Sequence, residues 1–211
     1  MRKPILLVAL ALLLGCQAKE TPVPAAPSTP KTLPVFVFLG DSLTAGYGVA
    51  MEEAYPALIA ERWKMVEMRN AGVSGSTSAG ILGNIAWNIT PDVDFVFLAI
   101  GANDGLRGLD LKGTKDNIEK IITYCRERKI SVALAGIKIP PNYGAEYTGA
   151  FEAMYPTIAK EAGIPLLPFL LDGVAGRPEM NIEDGIHPNA DGHKVIAKSV
   201  EAFLKKEGLL K

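Results

Sequence analysis

The chain has 211 residues, 48% of them hydrophobic, and carries 22 basic against 23 acidic side chains for a formal net charge of −1. That length suits one domain of ordinary size, and that apolar content supports a full core, so a globally disordered chain is excluded. The charge is balanced and no basic stripe stands out, which argues against nucleic acid as a partner.

The N-terminus reads as a segment apart. Arg2 and Lys3 precede an apolar run from Ile5 to Leu14, which Gly15 and Cys16 close. A charged start followed by about ten apolar residues has the pattern of a signal peptide, whereas a spanning helix needs about 20. Leu13-Leu14-Gly15-Cys16 resembles the lipobox of bacterial lipoproteins, in which the signal is cut ahead of a cysteine that then carries lipid. That resemblance implies a signal peptide over 1–15, lipidation of Cys16 and export to the periplasm. With Gln17 rather than an aspartate next, it implies anchoring in the outer membrane of a Gram-negative cell. More than one acyl chain on the cysteine is enough for stable anchoring. Residues 16–33 form the tether. They are rich in proline and lack a helical or strand period. At about 3.1 Å per residue, such a spacer holds a domain up to roughly 50 Å from the lipid. The folded domain is expected over 34–211.

From there strands and helices alternate. Val35–Leu39 is an apolar run of strand length. Glu52–Trp63 shows helical spacing with Pro56 in its early turns, and Met65–Met68 reads as a short strand. A Gly/Ser loop over Asn70–Gly80 leads into a weakly helical stretch ending at Ile89. Val93–Ile100 is the clearest buried strand. Asp116–Lys129 is amphipathic, with Ile118, Ile121, Ile122 and Cys125 on one face, which makes Cys125 a buried bystander. Ser131–Ile137 is a strand, Gly149–Gly163 a helix with an internal Pro156, and Pro165–Phe169 a short strand. A last helix follows Asn189, its cap, and buries Val195, Ile196, Val200 and Phe203. Continuous apolar strands separated by helices predict a parallel sheet covered on both faces, a flavodoxin-like three-layer α/β/α fold.

In such sheets, sites gather beyond the carboxyl ends of the strands. Four loops lie there: Gly40–Gly48, Asn70–Gly80, Gly101–Gly108 and the loop after Ile137. They carry Ser42, Gly72 and Asn103, and near the C-terminus stand Asp184 and His187. Serine hydrolysis needs a nucleophile, a base, a group that orients the base, and donors for the developing oxyanion. The chain has two histidines. His193 falls in the first turns of the last helix, at a solvated or half-buried position. His187 falls in a loop three residues after an acid, so it is the candidate base. Taken singly, Ser42 also reads as a helix cap, Gly72 as a turn residue, Asn103 as a loop-stabilising amide, and Asp184 with His187 as a surface pair. Asp41 and Asp104 read as loop braces.

GDSLTAGYG, the glycine in NAGVSGST, GAND and DGIHPN resemble, in order, the four sequence blocks of the SGNH, or GDSL, hydrolases. The resemblance spans essentially the whole domain. GANDGLRG, IKIPPNYG, AMYPTIAKE and PLLPF extend it to the bacterial thioesterase I, lysophospholipase L1 and arylesterase branch. It implies the SGNH hydrolase fold and no metal or cofactor. It implies Ser42 as nucleophile, His187 as general base and then acid, and Asp184 as the group holding the imidazole. The oxyanion hole it implies is made by the N–H groups of Ser42 and Gly72 and the side-chain amide of Asn103. A histidine base implies activity that falls in acid as His187 becomes charged.

The expected reaction is hydrolysis of acyl esters through an acyl-enzyme, with lysophospholipids, aryl esters or thioesters as substrates. Leu106 and Leu109 are candidates for an apolar pocket, and the loop carrying Pro141, Asn142 and Tyr143 is expected to overhang it. Partners are thus a small acyl ester and, through Cys16, the membrane, with a monomer favoured. Two other readings remain open: a carbohydrate acetylesterase of the same superfamily, and a lipid-tethered binding protein without activity whose Gly-rich loop holds an anion.

Overall fold

A computed structural model describes residues 33–210. The signal peptide, Cys16 and nearly all of the tether lie outside the described residues. The first element of the described residues is β1 (Val35–Gly40), every residue of which is buried. Then come the one-turn α1 (Ser42–Ala45), α2 (Tyr55–Arg62), β2 (Glu67–Gly72), α3 (Ser78–Gly83) and α4 (Ile85–Asn88). The second half holds β3 (Phe95–Ala99), α5 (Ala102–Leu106), α6 (Leu111–Glu127), β4 (Ser131–Ala135), α7 (Ala145–Ala162), β5 (Leu166–Leu167) and α8 (Ala190–Lys206). The five strands form one sheet in the order β2-β1-β3-β4-β5, and every neighbouring pair is parallel. This is the expected flavodoxin-like order. Its direction of winding reverses between β1 and β3, which opens a crevice beyond their carboxyl ends.

Both faces of the sheet are covered, so β1 and β3 read as unbroken apolar runs. Helix α2 packs with α8, and α6 packs with α3 and α7. Phe38 and Phe97 meet Tyr55 of α2 edge-on, and Phe97 also meets Phe203 of α8. Pro56 occupies the first turn of α2, where a missing N–H costs nothing. Cys125 is fully buried, and burial pushes its thiol up to about 11, so it is inert.

Among the expected boundaries that move, three have a local physical cause. The second strand runs over Glu67–Gly72 rather than Met65–Met68. It is the sheet edge and half exposed, so its pattern is polar. Arg69 is held there by Glu67 and Asp92 at 2.7 and 2.6 Å. Helix α6 starts at Leu111, not Asp116, because Asp110 caps it by accepting from the N–H groups of Lys112 and Gly113. Helix α7 starts at Ala145, not Gly149, since its first turn carries too little apolar surface to show in the periodicity.

His193 is a correction of another kind. It is fully buried rather than solvated or half-buried. Its Nδ1 accepts from the Tyr55 N–H at 3.3 Å, and its ring lies parallel to that of Tyr55. Burial drives its pKa down to about 4, so it is a neutral core residue.

Candidate active site

The strand order brings the candidate residues to one edge. β1 ends at Gly40 and Asp41 follows, fully buried, with Oδ1 accepting the Leu43 N–H at 3.0 Å. That cap starts α1 immediately, and Ser42 is its first residue. The serine is therefore set at the mouth of the crevice by the central strand beneath it and the cap beside it. Its Oγ lies 2.8 Å from His187 Nε2, and His187 Nδ1 lies 2.6 Å from Asp184 Oδ2. The loop carrying both is braced from within. The Ile182 N–H donates to the His187 carbonyl at 2.9 Å, and Asp184 Oδ1 accepts from the N–H groups of Ile186 and His187, both at 3.0 Å. The Tyr47 ring rests on the imidazole, centroids 4.7 Å apart.

Desolvation pushes the Asp184 carboxyl up, but the Ile186 N–H, the imidazole and the His187 N–H together outweigh it and hold the group below the ordinary carboxylate value. It is thus ionised and accepts from an Nδ1–H, so that in the neutral imidazole Nε2 is the acceptor that faces the serine. This series of hydroxyl, imidazole and carboxylate can make the hydroxyl a nucleophile at neutral pH.

Asn103 lies in α5, just beyond β3, and its Nδ2 donates to the Ser76 carbonyl at 3.0 Å. One N–H of that amide remains for another acceptor. Asp104 beside it is the expected brace. It is buried, and it accepts from the Ser78 N–H at 2.8 Å and the Ser78 hydroxyl at 2.6 Å, tying α5 to the start of α3.

Gly72 does not occupy the expected position. It is the last residue of β2, paired with Gly40, and its N–H already donates to Asn70 Oδ1 at 2.9 Å. A Cβ there would come within 2.2 Å of the Ala45 nitrogen, so the glycine exists to let α1 sit against β2. Sequence reasoning missed Gly75. It lies in the turn between β2 and α3, at φ +78°, and is tied to the Asn103 side through its carbonyl and that of Ser76. The signal was present as a second glycine three positions on. Choosing between the two required knowing where the edge strand ends.

Beside the serine opens a cavity of about 450 Å³ lined largely by apolar side chains. Leu106 and Pro141 line it as expected, with Ile139, Phe169 and Leu171, and with Ser42, Asn103 and His187 at its polar end. Leu109, Asn142 and Tyr143 do not. Leu109 lies beyond the end of α5, outside the lining, and is 40% exposed. Tyr143 instead donates its hydroxyl to the Leu106 carbonyl at 2.7 Å and pins the overhanging loop to α5. Phe169 and Leu171 were within reach of the carboxyl-end rule had it been applied to the short β5. Among the described residues no group of three His, Cys, Asp or Glu side chains stands close enough to hold a metal ion.

A parallel sheet with hydroxyl, imidazole and carboxylate in series at its switch point, beside an apolar cavity, defines a class: the serine-dependent hydrolases of acyl compounds. Comparison with known proteins narrows it. Residues 38–195 match the model of the GDSL-like lipase/acylhydrolase family, and the chain belongs to that family of serine esterases. It is 37% identical over 163 residues to the thioesterase 1/protease 1/lysophospholipase L1 of Escherichia coli (strain K12), covering 76% of this chain and 78% of that protein. It is 35% identical over 175 residues to an arylesterase of Vibrio mimicus, covering 80% and 86%. Among solved structures, the psychrotrophic esterase EstA from Pseudoalteromonas sp. superposes with a TM-score of 0.77 at 29% identity, covering 82% of this chain and 97% of that one.

Proposed function

We propose that the chain hydrolyses acyl esters with an apolar acyl group through an acyl-enzyme on Ser42. The observation that carries this is the unbroken series from Ser42 Oγ through His187 to Asp184, at 2.8 and 2.6 Å, opening on the apolar cavity. His187 Nε2 takes the hydroxyl proton as Oγ attacks the carbonyl carbon. The same proton then passes to the departing alcohol or thiol as its bond to carbon breaks. Water, deprotonated in turn by His187, attacks the acyl-enzyme and frees the acid and the serine. Asp184 keeps the imidazole in the tautomer this needs and steadies its cationic form.

The oxygen that gains charge is assigned to three donors: the Ser42 N–H, the free N–H of Asn103 Nδ2, and the Gly75 N–H in place of that of Gly72. Such donors are worth most where they are fixed and dry. The substrate class follows from the cavity, whose size falls in the range of small-molecule sites and whose walls offer hydrocarbon rather than hydroxyl partners. Relatives named for thioesters, lysophospholipids and aryl esters support the same range of leaving groups.

Hydrolysis of p-nitrophenyl esters of increasing acyl length tests this, with Ser42→Ala as control. kcat/KM is expected to rise from acetyl to medium chains and to vanish in the control. A preference confined to acetyl points instead to a carbohydrate acetylesterase, and hydrolysis that persists in the control removes Ser42 from the mechanism.

The N-terminal pattern supports a location for this activity. Residues 1–15 are assigned as a cleaved signal peptide, Cys16 as the lipidated residue, 16–33 as the tether and 34–211 as the hydrolase, held on the periplasmic side of an outer membrane. A peptide mass showing unmodified Cys16 in the exported protein overturns the anchoring.

A further inference from the structure

Oxyanion donors act only if they are held in place before the ester arrives. Two of the donors assigned above rest on elements with little of their own to hold them. Gly75 lies in a short turn at φ +78° and has no side chain to fix its peptide planes. Asn103 stands on a helix of five residues. One exposed side chain ties them together. Arg107 Nη2 donates to the Gly75 carbonyl at 2.9 Å, and the same nitrogen makes a longer contact of 3.4 Å with Asn103 Oδ1. Asn103 Nδ2 donates to the next carbonyl of the turn, that of Ser76, at 3.0 Å. Two consecutive carbonyls of the turn are thus held from α5. The Asn103 amide is held at its oxygen and at one N–H, which leaves the other N–H for the ester. Among the described residues Arg107 has no acidic partner, so its hydrogen bonds go to this turn and this amide.

We infer that Arg107 is a positioning residue for the ester-oxygen site, anchoring at the Gly75 carbonyl the turn that carries the Gly75 N–H and orienting Asn103 without touching substrate. A cation on Oδ1 also polarises the amide, which makes its remaining N–H a stronger donor. A lysine replaces it only in part, since its ammonium is more strongly hydrated and sits on a flexible stem that a planar guanidinium does not share. The inference rests on the assignment of Ser42, Gly75 and Asn103 above.

The test compares Arg107→Ala and Arg107→Lys with the unaltered chain on p-nitrophenyl butyrate, with Ser42→Ala alongside. In Arg107→Ala, kcat is expected to fall about 10- to 100-fold, with KM and melting temperature unchanged. Inactivation by a fluorophosphonate is expected to slow by a similar factor, because its phosphoryl oxygen uses the same donors. Guanidinium ion added to Arg107→Ala restores part of kcat, and Arg107→Lys falls between the two. An unchanged kcat, or a loss carried by KM alone, overturns the inference. So does a loss that tracks a lower melting temperature and that guanidinium does not repair. If Ser42→Ala retains activity, the nucleophile assignment itself fails, whatever Arg107 does.

Discussion

The Ser42 hydroxyl and the His187 imidazole lie 145 positions apart in sequence and 2.8 Å apart in space. His187 and Asp184 were legible because the chain has so few histidines and one of them sits in a loop beside an acid. His193 was misjudged because periodicity places a residue on a helix without showing what packs over it. Its burial has a consequence at the residue scale that Asp41 opposes. Burial lowers His193 to about 4 against an ordinary value of 6.5, so its contribution to stability is full above 6.5 and is lost as pH falls towards 4. Burial raises Asp41 from 3.8 to about 6, against the pull of the Leu43 N–H, so its contribution is present below 3.8 and lost as pH rises through 6. Between these limits the two slopes cancel. In His193→Asn only the Asp41 slope remains, and stability is expected to fall with rising pH across that window relative to the unaltered chain. The difference approaches about 1.4 kcal/mol per pH unit. Urea unfolding at several pH values measures it, and parallel curves for the two proteins refute it.

Among the elements, α1 is the one that decides whether the serine is in place. It has four residues, too few to persist alone, and is held by the Asp41 cap at one end and by β2 alongside. Asn70 Nδ2 donates to the Thr44 carbonyl at 2.9 Å, and Gly72 leaves room for the Ala45 backbone. Gly72→Ala places a methyl group against that backbone, which cannot swing aside as a side chain can. We expect a loss of about 1–3 kcal/mol, and a melting temperature lower by about 2–4 °C for each of them. Calorimetry checks it. A variant as stable as the unaltered chain shows that Gly72 is not a packing glycine. The central strands were legible as runs of Val, Phe and Leu buried on both sides. The edge strand was not, since one side of it meets water, and the error over Gly72 follows directly from that misplaced strand end.

The whole molecule turns on the reversal of strand order between β1 and β3. Ser42 follows one of these strands and Asn103 the other, so the serine hydroxyl and the amide flank the crevice without any contact between their own elements having to create it. That much was readable from alternating elements alone. The cavity walls were not, because Ile139, Phe169 and Leu171 look in sequence like ordinary core, and only the packing of β4 and β5 turns them towards the serine. The central claim is that Ser42 is the nucleophile of this edge. Fluorophosphonate labelling of the folded protein, with the adduct located by mass spectrometry, tests it most directly. The account predicts a single adduct on Ser42, absent in Ser42→Ala. A folded protein that takes no label, or takes it elsewhere, contradicts the account and leaves Ser42 as the first residue of a short helix.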